Sequence, residues 1–260
     1  MKKLLIASLL SATAFTATAD VVEFDDSSFG GSGVVFDFLD FDADLATVSQ
    51  TDSDNSGDIT GLDSFTEFGS TDLVNFKLGE DLLGVDAAYE VFYNYDLSGQ
   101  AAFLPDLDGP GFDFNKIVVS FDAGNSGMFI DETTGNGTFD AGTSTEVVDF
   151  SLRSGACLIN VDLAPETGFC KIDFNIDFAA GYFFDKNGTD LSTTPGVKTA
   201  SMVVTVQDII GLDFNYANPG DTQIFQIAHD GNMVFNVPEP ASIAILGLGL
   251  LGLAGARRRA

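Results

Sequence analysis

The 260-residue chain sets 39 Asp and Glu against 11 Lys and Arg, a formal net charge of −28. So acidic a molecule repels nucleic acid and anionic membrane surfaces, which excludes both as partners and favours divalent cations or polymers bridged through them. Acidity does not make it a disordered tail, because 45% of the residues are hydrophobic and 25 are Phe, enough to form a core.

The N-terminus reads Met1-Lys2-Lys3, an apolar stretch over 4–10, then Ala17-Thr18-Ala19 before Asp20. A charged start, an apolar middle and an A-x-A site predict a secretory signal peptide over 1–19, cut after Ala19. Between this leader and residue 237 lies one body, 20–236, with no convincing internal linker. It retains six basic residues against 38 acidic ones, a charge of about −32.

Residues 34–41 form the first predicted strand, and 52–63 the most chemical stretch of the chain. Against a twelve-residue calcium loop, Asp52, Asp54 and Ser56 take positions 1, 3 and 5, and Gly57 takes the sharp turn. Asp58 offers its backbone carbonyl, apolar Ile59 holds the eighth place, Thr60 the ninth, and Asp63 stands where a bidentate Glu is usual. Alternate residues of a tight loop aim their oxygens inward, which is why calcium needs this spacing. Asp at the last position closes the site less well, and the flanking residues carry little helical pattern. The stretch therefore reads either as an EF-hand-like or dockerin-like calcium loop without its helices, or as an acidic surface loop. A more degenerate acidic loop spans 131–140.

Further strands are expected over 73–78, 88–95, 112–121 and 146–152. Cys157 and Cys170 are the only cysteines; in an exported chain they are expected to form a disulfide across the turn between two strands. Residues 171–178 alternate strictly: Ile172, Phe174, Ile176 and Phe178 on one face, Lys171, Asp173, Asn175 and Asp177 on the other. That period marks an antiparallel strand with one wet face. Strands over 200–206, 223–228 and 232–237 complete the set, with turns expected at 122–127, 135–137 and 218–221. Residues 71–84 and 208–212 are the helix candidates. The pattern predicts an all-β fold, an antiparallel β-sandwich or a barrel-like single domain.

Catalytic chemistry has little to work with. His229 is the sole histidine, too few for a zinc site, and the segment 229–231 reads as a strand end running into a turn. The repeated Phe-Asp-Ala-Gly at 121–124 and 139–142 lacks the Thr or Ser of an aspartic protease turn. A secreted carbohydrate-active hydrolase using a carboxylate pair is the alternative function, although no pair is singled out. No catalytic residue is assigned and the protein is read as non-enzymatic.

The C-terminus runs Val237-Pro238-Glu239-Pro240, an apolar span over 241–256 with Ser242 its only polar residue, then Arg257, Arg258 and Arg259. A GxGxxG match at 247–252 lies inside that span, eight residues before Ala260, without room for the helix and second strand a dinucleotide site requires. As a helix the span reaches about 24 Å, a short membrane crossing, and the arginines keep its end cytoplasmic. The prolines flanking Glu239 hold that segment extended and out of helix or sheet.

This order of parts resembles the PEP-CTERM sorting signal of Gram-negative bacteria. The resemblance implies that exosortase recognises Pro238-Glu239-Pro240 and removes the tail after transient inner-membrane anchoring. The protein would then reach the cell surface or extracellular matrix, among extracellular polysaccharide. The body, with its Phe-rich strands and the sequence GYFFDKNGTDLS at 181–192, also resembles flocculation-associated PEP-CTERM proteins. A role in biofilm or floc cohesion through calcium-bridged contact with exopolysaccharide is the expected function.

Overall fold

The computed structural model describes residues 21–60, 63–105, 114–132, 139, 142–160, 167–213 and 215–237. Twelve strands follow in chain order: β1 (Val22–Phe24), β2 (Val34–Phe36), β3 (Phe38–Thr51), β4 (Asp63–Leu78), β5 (Asp81–Gly84) and β6 (Glu90–Pro105). After them come β7 (Phe114–Asp131), β8 (Thr145–Asn160), β9 (Thr167–Phe178), β10 (Phe183–Asp185), β11 (Thr199–Ile210) and β12 (Thr222–Asn236). Among the described residues the one helical element is a single 3-10 turn at Ser27–Phe29.

Eight long strands pair in the order β3-β12-β11-β9-β8-β7-β6-β4, and β4 pairs back onto β3. That last pairing closes the sheet, so of the two all-β expectations the barrel is realised. Every pairing in it is antiparallel. Closure removes the unpaired edges that an open sheet of this length would offer. Alternation assigns the faces: along β9, Ile172, Phe174, Ile176 and Phe178 are buried inside, whereas Lys171, Asn175 and Asp177 are exposed outside. The exterior faces water and the lumen is the core.

A three-stranded sheet, β10-β1-β2, covers one end of the barrel. It closes on an aromatic cluster in which Phe24 stacks on Phe183 at 5.0 Å, and Phe183 meets Phe178 and Phe235 at 5.0 and 6.0 Å. The opposite end carries the connections from β3 to β4 and from β11 to β12. Cys157 and Cys170 are register partners on β8 and β9 and are joined by a disulfide.

Several local expectations are corrected. Residues 122–127 lie within β7 rather than in a turn; Gly124 is there because a Cβ would come within 2.3 Å of the Leu97 side chain. The 71–84 region is β4 and β5, not helix. A register shift against β3 buries both Leu73 and Phe76, so the strand expected over 73–78 is present as the bulged end of β4. Residues 208–210 likewise belong to β11. The two strands expected over 223–237 are one, β12, in which 229–231 form a bulge against β3 instead of a turn. The turn at 218–221 is present, with the Asp221 amide donating to the Asn218 carbonyl at 3.1 Å.

Candidate functional site

The connection from β3 to β4 wraps its backbone around three carboxylates. Gly57 takes a left-handed φ of 82° at the sharp turn, a conformation that glycine adopts without steric cost. Ile59, at the apolar position of the loop, is buried. Asp52 is almost wholly buried; its Oδ1 accepts the Ser56 amide at 3.0 Å, and its Oδ2 accepts the amides of Gly57 and Gly220, both at 2.9 Å. Asp54 accepts the Ser56 amide at 2.9 Å and the Thr60 hydroxyl at 2.8 Å. Asp63 accepts the amides of Ser53 and Thr60 at 3.1 and 2.8 Å, and the Tyr216 hydroxyl at 3.3 Å.

These contacts bring candidate ligand atoms of Asp52, Asp54 and Asp63 within 4.8 Å of one another. Two oxygens held on opposite sides of a calcium ion, each at about 2.4 Å, are about 4.8 Å apart, so the triad has the right span. Among the described residues no other group of three acidic, His or Cys side chains converges in this way. Burial, reinforced by the charges of Asp52 and Asp54, pushes the Asp63 carboxyl above its usual range. Hydrogen bonds from Ser56 and Thr60 hold Asp54 below it. Of the other three sequence-derived ligands, Ser56 and Thr60 are engaged within the loop and Asp58 also with the β11–β12 connection. Ser56 donates its hydroxyl to the Asp58 carbonyl at 2.9 Å, Thr60 donates to Asp54, and Asp58 bridges to Asn215.

A second polar group lies inside the barrel, where sequence reasoning missed it. The Glu67 side chain is 13% exposed and His229 5%, with Oε1 and Nε2 separated by 3.9 Å. Tyr95 Oη shares a hydrogen bond with the same His229 nitrogen. Burial pushes Glu67 up to about 7 and His229 below its ordinary value, so the low-dielectric lumen disfavours both charges. Gly69 makes this arrangement possible, since a Cβ there would come within 2.4 Å of Tyr95 Oη. No local signal marked Glu67, because Phe68 on the outer face breaks the alternation between Phe65 and Leu73.

Signal-cleavage residues Ala17, Ala19 and Asp20 lie outside the described residues, as do sorting residues Pro238, Glu239, Pro240, Arg257, Arg258 and Arg259 and the span 241–256. Among the described residues no helix is long and apolar enough to cross a membrane. Val237, the last described position at this end, is buried beside the aromatic cap. Residues 236–259 match the PEP-CTERM protein-sorting motif.

The chain carries a PEP-CTERM sorting signal.

This PEP-CTERM motif implies export, transient membrane anchoring and processing by exosortase before release at the cell surface. No curated protein and no solved structure matches the chain. Strand β12 ends at the capped end, whereas the carboxylate triad sits at the other. With about 3.3 Å per residue and a strand tilt near 40°, the 15 residues of β12 separate the two ends by roughly 35–40 Å.

Proposed function

We propose that the protein is a non-enzymatic component of the cell surface or extracellular matrix of a Gram-negative bacterium, in which the β3–β4 loop binds calcium and links the molecule to acidic exopolysaccharide. The observation that carries the reading is the convergence of Asp52, Asp54 and Asp63 on a body exported by a sorting signal. Three carboxylates in so small a volume repel one another, and a divalent cation removes that repulsion while keeping a coordination position on the exposed Asp54 side for a second polyanion. While the tail is still anchored, the triad at the far end of the barrel points away from the membrane, toward the polymer. A role in biofilm or floc cohesion follows from that bridge.

The experiment is sedimentation of the released protein with purified acidic exopolysaccharide from the same cells. Millimolar calcium is expected to carry the protein into the pellet and a chelator to release it. Binding indifferent to calcium, or cleavage of the polymer by the purified protein, overturns the reading.

A further inference from the structure

The lumen is not filled along its whole length. Beyond the level of Tyr93 and Tyr95, toward the end opposite the cap, a cavity of about 60 Å³ remains. Its wall is mainly apolar and includes Leu97, Val119, Ile172, Val204, Phe225 and Ile227. On the β3–β4–β12 side the wall turns polar, with Gln50, Glu67 and His229. Eight-stranded barrels of this kind either fill their interior with side chains or hold one small ligand.

Gln50 decides between these. It is 3% exposed, it lines the cavity, and its Nε2 has no hydrogen-bond partner. Its register partner on β12, Gln223, has a second buried Nε2 without one. A buried donor left unmade is strongly unfavourable, and leucine would fit the apolar wall without that cost. A polar residue kept against stability is expected where function requires it. The missing partner must be an acceptor, small enough for the cavity and apolar elsewhere. A charged head group is disfavoured by the same low-dielectric lumen that suppresses the Glu67 charge.

We propose that the barrel lumen is a binding site for a small uncharged aliphatic carbonyl compound, its chain among Ile209, Phe225 and Ile227 and its oxygen accepting from Gln50 Nε2. At 60 Å³ the space equals about four to six water positions, which sets the class at short ketones, esters or lactones. The site is independent of the calcium loop, and its failure leaves the proposed surface role untouched.

The test is methyl NMR of the released protein titrated with 2-hexanone, with hexanoate at pH 8 as the charged comparison. Saturable shifts confined to lumen methyl groups are expected, with binding at least about tenfold weaker for hexanoate. Gln50→Leu should weaken 2-hexanone about tenfold, one charge-free hydrogen bond's worth, while melting at the same temperature or higher. Ile227→Phe, which fills the lumen where the chain would lie and leaves Gln50 in place, should abolish binding. No saturable shift, as for a lumen holding only water, overturns the proposal. So do shifts confined to the barrel exterior, equal binding of hexanoate, or undiminished binding by either variant.

Discussion

The Asp52 carboxylate accepts the Gly220 amide at 2.9 Å across 168 residues of sequence, tying the β3–β4 loop to the β11–β12 turn at one end of the barrel. Asp52 is therefore structural before any cation arrives, whereas Asp54 bonds only within its own loop. Asp52→Ala leaves the Gly57 and Gly220 amides without their acceptor, whereas the Ser56 amide keeps Asp54, and a loss of about 1–3 kcal/mol is expected even in chelator. Asp54→Ala should change melting in chelator far less. Denaturant unfolding of both variants checks this; equal losses contradict it.

Glu67 makes stability depend on pH in a defined window. Its folded-state value is raised from 4.5 to about 7, so the native state binds the proton more tightly than the unfolded chain. The associated stability is complete below about pH 4.5 and is lost as pH rises through 7, amounting to about 3 kcal/mol. Glu67→Gln abolishes this dependence. The variant should gain on the parent progressively between pH 4.5 and 7.5 in urea unfolding, and a constant difference contradicts the assignment. His229 acts in the opposite sense: its lowered value means that stability is lost as pH falls below about 6.5.

Gly69→Ala should be expensive for a single methyl. The new carbon would lie 2.4 Å from Tyr95 Oη and 2.6 Å from its Cζ, forcing the ring away from His229. Overpacking of this kind destabilises by about 1–3 kcal/mol. The paired variant Gly69→Ala/Tyr95→Phe relieves only the hydroxyl contact and should recover part of the loss. Full tolerance of Gly69→Ala in thermal melting is the contrary result.

The disulfide closes a loop of 13 residues between strands that already pair. Replacing Cys157 and Cys170 by Ser is expected to lower stability by roughly 3 kcal/mol through the unfolded chain's greater freedom. The barrel should still form, because the β8–β9 register is also fixed by Phe150, Phe174 and Ile176, buried on the inner face. Loss of the far-ultraviolet β signal on reduction contradicts that account.

The parts of the molecule readable in advance are those whose determinants are close together in sequence. The strict alternation over 171–178 carries β9, and the calcium spacing over 52–63 carries the three carboxylates that meet. Closure was not readable, because the β3–β4 pairing that distinguishes barrel from sandwich has no local signature. Nor was the support of the site: Gly220 and Tyr216 reach Asp52 and Asp63 from a loop more than 150 residues away. Gly124 misled because a glycine that permits close packing resembles one that makes a turn. Glu67 was not legible, because the outward Phe68 beside it breaks the alternation and acids ordinarily face water.

Thermal melting of the released protein during calcium titration is the decisive measurement for a barrel stabilised by calcium at its β3–β4 loop. The melting temperature should rise, saturate by millimolar calcium and fall back with chelator, and Asp54→Ala should show no rise. An unchanged melting temperature, or a rise that survives Asp54→Ala, would contradict that stabilisation.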